Sequence, residues 1–141
     1  MANAVVVLEQ LLVTEDWELG RQVLVEASAF AEDREQIEAD FAVSLRQLDA
    51  VLELPDASLK RLKEAILEKV QTRVRDYDDE LYQKICVELD YCKNKDVWKW
   101  RAAEYLAAIL DIAFGGGGVT LAVLLFKREA LDRLCKCPKN S

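Results

Sequence analysis

Apolar residues recur at steps of three and four along most of the chain, the spacing that lines one face of an α-helix. The longest such series is Leu59, Leu62, Ile66, Val70, Val74, Tyr77, Leu81, Ile85 and Leu89, nearly a heptad seam. An acidic cluster, Asp76, Asp78, Asp79 and Glu80, falls inside it. Asp78 or Asp79 is suited to cap a fresh helix there, and compactness favours two helices over one long one. Before the turn at Pro55, Asp56, Ala57 and Ser58, the residues Ile37, Phe41, Leu45, Leu48 and Leu52 predict a helix that Asp33 caps, with Gln36 placed as in a capping box. Thr14, followed by Glu15 and Asp16, predicts the start of a helix carrying Trp17, Val23, Leu24, Ala27 and Phe30 and ending near Glu32. Residues 4–13 are rich in β-branched side chains but find no strand partner elsewhere, so they read as a short helix after Asn3.

The pattern changes in the last third. Asp96 caps a helix through Val97, Trp98, Ala102, Tyr105, Ile109 and Ile112, and residues 105–126 form a nearly unbroken apolar run, interrupted by Asp111 and the glycines Gly115, Gly116, Gly117 and Gly118. A final helix from Val119 to about Cys135 precedes Pro138. A membrane span needs about 20 apolar residues, and Trp98, Lys99, Trp100 and Arg101 on one side with Lys127 and Arg128 on the other would serve as interfacial anchors. Against a span, an aspartate near the bilayer centre costs about 2.5–3.5 kcal/mol, and each glycine is about 1 kcal/mol worse than alanine in a helix. The favoured reading in water is a hydrophobic helical hairpin, buried on most sides, whose arms meet at the glycines. The expected fold is therefore all-α, a single-domain helical bundle over residues 1–141 around that hairpin.

The formal charge of −7 disfavours binding to a phosphate backbone, which needs clustered Lys and Arg. Beyond the apolar run, however, Lys127, Arg128, Arg133, Lys136 and Lys139 face only Glu129 and Asp132, a net +3 that leaves −10 on the rest. Such a tail suits anionic lipid as well as it suits the end of a solvated helix. Residues 1–13 lack the basic start of a secretory signal, which points to an intracellular, cytoplasmic protein that a membrane surface could attract. Of the cysteines, Cys86 and Cys92 fall in a helical pattern, so no disulfide framework is indicated. The spacings, five intervening residues and one, do not suit zinc, and no histidine completes a mixed site. Cys135 and Cys137, in a basic segment beside apolar residues, are candidates for palmitoylation.

Catalytic chemistry has few candidates. The chain has no histidine and no G-x-S-x-G. A P-loop requires Lys and Ser or Thr after its last glycine, and Val119 stands there; a calcium loop beginning at Asp76 would need glycine where Leu81 stands. Neither an enzyme nor a metal or cofactor is indicated.

The segment YQKICVEL, residues 82–89, has an aromatic-x-x-aliphatic form ending in Glu-Leu; Val97, Trp98, Trp100 and Arg101 follow, then Phe114, Gly115 and Gly116. This order resembles the helix leading into the BH1 region of Bcl-2 family apoptosis regulators, and BH1 itself, in a form closer to a viral member. Trp100 and Arg101 are adjacent where the family separates them by glycine, and Ala39, Asp40 and Phe41 resemble the core of a BH3 helix. The resemblance implies a non-enzymatic, anti-apoptotic protein whose surface groove sequesters the BH3 helix of a pro-apoptotic partner. Arg101 would then pair with the ligand's aspartate, and Trp98, Trp100 and Tyr105 would lie near the groove floor. Two other readings compete: a membrane-inserting or membrane-anchored effector using residues 105–126, and an adaptor whose 59–89 seam holds a helical partner or a second copy.

Overall fold

A computed structural model describes residues 13–94 and 99–137, with side chains from 13 to 93 and from 104 to 137. The chain runs through α1 (Asp16–Glu26), a 3₁₀ turn (Ser28–Phe30), α2 (Ala31–Phe41), α3 (Leu48–Leu52), α4 (Asp56–Arg75) and α5 (Asp78–Leu81). A π-helical stretch (Tyr82–Glu88), α6 (Tyr91–Asn94), α7 (Lys99–Phe114), α8 (Gly118–Lys127) and α9 (Ala130–Cys135) follow. Among the described residues there is no strand, and the helices pack into one all-α bundle. All of the expected helix over residues 4–13 except Val13, which stands in a turn, lies outside the described residues, as do Asp96, Val97, Trp98 and Pro138.

The apolar run of the sequence becomes the hairpin α7–α8. Seven of the ten residues of α8 are buried, which makes it the central helix, with α7 on one side and α1 on another. Only α8 is enclosed as the sequence suggests. On α7, Leu106, Leu110 and Phe114 are buried while Tyr105 is 55% and Ile112 87% exposed. The chain bends by 117° between the arms, and no single helix among the described residues is long and apolar enough to cross a membrane, although the pair satisfies length and composition together. The glycines make the corner. Gly115, Gly116 and Gly117 all take positive φ, and a Cβ on Gly116, at φ +122°, would stand 2.8 Å from the Glu26 carbonyl oxygen. A Cβ on Gly118 would lie 2.1 Å from the Ala107 carbonyl oxygen, so glycine sets how closely the arms approach. Asp111 explains its own place in an apolar run: its Oδ1 accepts the Gly118 N–H at 2.7 Å, and its carbonyl accepts the N–H of Gly115 at 2.8 Å. One residue thus closes the last turn of α7 and caps α8.

Several predicted boundaries move. Thr14 does not cap α1; its carbonyl accepts the Lys127 ammonium, and Glu15 stands at the N-cap with its carboxylate accepting the Trp17 indole N–H rather than a helix N–H. Asp16 pairs with Lys127 at 3.1 Å and Arg128 at 3.3 Å, tying the start of α1 to the end of α8. Helix α2 begins at Ala31, straight out of the 3₁₀ turn, and Asp33 binds Arg73 of α4 at 3.1 Å instead of capping. By hydrogen bond and charge, Asp33 holds that guanidinium above its ordinary range. The expected continuation to Leu52 breaks after Phe41. Ala42 adopts the left-handed conformation, and the Glu38 carboxylate accepts the Leu45 N–H at 2.8 Å, which redirects the chain while keeping Leu45 buried. The 59–89 seam is divided at Asp76 and Tyr77, and Leu62, Ile66, Val70, Leu81 and Ile85 are buried in the core. After Leu81 the backbone widens to i→i+5 bonding, with the Leu89 N–H donating to Lys84.

The cysteines overturn the expectation of a chain without disulfides. Cys86 is bonded to Cys135 and Cys92 to Cys137, with 5.2 Å between the Cα atoms of each pair. Spacing along the chain concealed this, because the partners are 49 and 45 residues apart and the α7–α8 hairpin returns one segment to the other. Cys135 and Cys137 therefore have no free sulfur for palmitoylation.

Candidate binding cleft

The long amphipathic helix α4 buries Leu62 and Ile66 against α1, and further along it turns Leu67, Val70 and Val74 toward α8 and α9. These three recur at i, i+3 and i+7, a single helical stripe. Leu81 at the end of α5 extends the stripe, Leu124 and Leu125 of α8 form the far side, and Leu131 and Leu134 of α9 close one end. The resulting cleft measures about 270 Å³ and has an almost wholly leucine and valine floor. It exists because the last predicted helix is not continuous. Glu129, at φ +56°, turns the chain after α8 so that α9 folds across the mouth instead of running on.

Its rim is cationic on a chain of net negative charge. Arg75 and Arg133 are exposed at the edge, and Arg128 joins them while also reaching Asp16. Arg133 is steadied by donating to the Arg128 carbonyl oxygen at 2.8 Å. Asp78 is the one acid among the lining residues. An apolar floor under arginines can hold a ligand that is apolar on one side and acidic along its edge, since the guanidinium fork pairs with carboxylates bidentately. No histidine and no cysteine thiol lines it, and the only carboxylate is exposed.

Of the groove residues that the sequence singled out, Tyr105 alone has a described side chain. Trp98 lies outside the described residues, and Trp100 and Arg101 stand on the first turn of α7 without described side chains. Tyr105 is on the outer face of α7 and does not line the cleft. Phe114, matched to the Phe-Gly-Gly of BH1, is core: it stacks on Phe30 at 5.5 Å and meets Tyr77 edge-on at 4.6 Å. The cleft residues had two sequence signals, the 59–89 seam, which contains Val70, Val74 and Leu81, and the basic tail. Arg128 and Arg133 were visible as unbalanced charge, but nothing along the chain told that α4 would face them.

At the glycine corner the electrostatics are different. Burial holds the Glu26 carboxyl above the usual carboxylate range, an effect that Arg21 opposes and Asp111 reinforces. Among the described residues no group of three or more His, Cys, Asp or Glu side chains is arranged to hold a metal ion. No family model matches the chain, and no curated protein or solved structure is similar to it.

Proposed function

We propose that this protein is a non-enzymatic binding module whose cleft between α4, α5, α8 and α9 takes the apolar face of an amphipathic helix from a partner protein. The observation that carries the proposal is the cleft itself, a leucine and valine floor of about 270 Å³ under a rim of Arg75, Arg128 and Arg133. That volume accommodates two or three apolar side chains, the number that a helix presents at i, i+3 or i+4 and i+7. An acidic residue beside those anchors would meet the rim. BH3 helices have this form, so the resemblance along residues 82–116 and the cleft support the same class of ligand. In its finer form the proposal is an anti-apoptotic, Bcl-2-like protein, closer to a viral member, that sequesters pro-apoptotic BH3 helices.

Titration of the purified protein with a panel of BH3 peptides tests this. At least one should bind, and Arg75→Glu and Arg133→Glu should each weaken it and slow its association at low salt, because an exposed rim pair is worth about 0.2–1 kcal/mol and a reversed charge repels an acidic ligand. Arg101→Glu separates the two placements: it should leave binding intact if the ligand sits in this cleft and abolish it if the groove lies at the start of α7. Silence across the panel ends the BH3 reading.

A second reading rests on Tyr105, Ile112 and Val119, large apolar side chains exposed along the outside of the hairpin. They favour contact with a lipid surface at the α7–α8 corner. Flotation with liposomes tests it: Ile112→Lys should abolish an association that the wild type shows.

A further inference from the structure

We infer that the cleft is redox-gated, with α9 a wall that two disulfides hold in place and that reduction releases. The inference rests on reading the cleft as the binding site. Helix α9 contributes Ala130, Leu131, Arg133 and Leu134 to the lining, so it supplies both floor and rim at that end. It is six residues long, well short of the about 12–15 that an isolated helix needs to be even marginally stable in water. The chain enters it through Glu129 and leaves it through Lys136, both in the left-handed conformation, so neither neighbour extends it. What fixes it is covalent. Its last residue, Cys135, is bonded to Cys86 of the π-helical stretch, and two residues later Cys137 is bonded to Cys92 of α6. All four cysteines of the chain are spent on this one junction.

Without the bridges, α9 keeps the buried side chain of Leu131, the half-buried Leu134 and short-range C-terminal backbone bonds, from Lys136 N–H to Arg133 at 3.3 Å and from Cys137 N–H to Asp132 at 2.9 Å. The rest of the bundle does not depend on it: α1, α4 and α8 bury their side chains against one another. Reduction therefore loosens the wall first and leaves the packing among α1, α4 and α8 in place, while lowering the stability of the whole by the lost loop closure. The chemistry needs a dithiol reductant. Its thiolate attacks one sulfur of a bridge, the S–S bond breaks and a mixed disulfide forms with one cysteine. The reductant's second thiol then displaces that cysteine, leaving two protein thiols and an oxidised reductant, two electrons and two protons per bridge. All four cysteines are half-buried, which leaves the junction within reach of such a reagent. Disulfides of intracellular proteins are commonly transient and redox-sensing, so the bridges and an intracellular location are compatible if the junction changes state in use.

The test compares the full-length oxidised protein, the same protein treated with dithiothreitol, and the untreated double variant Cys135→Ser with Cys137→Ser. Thiol alkylation under denaturing conditions counts the bridges, and hydrogen exchange resolved by segment reports the wall without any ligand. Reduction and the double variant should each speed exchange across residues 130–137 by about tenfold or more while leaving α1, α4 and α8 protected. Four alkylatable thiols in the protein before reduction, unchanged exchange in α9, or protection lost from all helices together would each overturn the gate. The tightest BH3 peptide from the panel should bind the reduced protein about tenfold or more weakly. A panel with no binder would remove the BH3 reading alone, since the exchange result decides the gate by itself.

Discussion

Asp111 is the residue on which the lipid and bundle accounts of the apolar run assign opposite effects to one substitution. In a bilayer it would be a cost, and Asp111→Leu would relieve it. In this fold its carboxylate caps α8 at Gly118, so Asp111→Leu removes a hydrogen bond to an otherwise orphaned helix N–H. A lost N-cap costs about 0.5–2 kcal/mol. Chemical denaturation of Asp111→Leu should show a loss of that size, and the variant should acquire no affinity for anionic liposomes. The neighbouring Glu26 gives a pH signature. Its folded pKa lies above its unfolded one, so the folded state binds more protons in that window and stability from this group falls as pH rises through it. Glu26→Gln should therefore raise the melting temperature at neutral pH, and the gain should shrink toward zero as pH is lowered to the ordinary glutamate range. A gain that is constant across pH would mean that the carboxyl is not desolvated at the glycine corner.

Among the elements, α9 and the strapped segment 86–92 behave as a unit. In the unfolded chain, either bridge alone closes a loop of nearly fifty residues, which loop-closure entropy makes worth about 4 kcal/mol. Once one bridge is closed, the other completes only a small ring and adds less. Replacing Cys86 and Cys135 by serine should thus cost clearly less stability than the subsequent loss of Cys92–Cys137, in denaturant titrations under oxidising conditions. Element existence was largely legible in the sequence: the amphipathic spacing of 59–74, the hairpin around the glycines and the helix carrying Trp17 to Leu24 are all present. Their ends were not. Asp33 was read as a cap, yet its carboxylate is claimed by Arg73 far away in the chain; α1 starts after Glu15 rather than Thr14, and the Thr14 carbonyl and the Asp16 carboxylate are both held by Lys127. Local propensity cannot register a competitor 40 or more residues distant. The single helix read from Val119 to Cys135 failed for a similar reason, since no glycine or proline marks the turn at Glu129.

At the scale of the molecule, the bundle has an asymmetry that its sequence disclosed only in part. The unbalanced cations of the C-terminal tail were apparent, but their destination was not. Folding puts Lys127 and Arg128 on Asp16 and brings Arg128 and Arg133 together with Arg75 around an apolar cleft. Cleft residues come from α4, α5, α8 and α9, whose juxtaposition depends on the hairpin and the bridged junction, and no periodicity within any one of them reveals the partner. Trp100, Arg101 and Tyr105, selected by motif, all fall on α7, which is not among the elements that line the cleft.

The account's central claim is that a partner helix lies in this cleft, and amide chemical-shift mapping of the oxidised, isotope-labelled protein with the tightest BH3 peptide tests it most directly. The predicted result is a contiguous set of perturbations on Leu67, Val70, Val74, Arg75, Leu124, Leu131 and Arg133, with the outer face of α7 unmoved. Perturbations confined to Tyr105, Ile109 and Ile112 would contradict it.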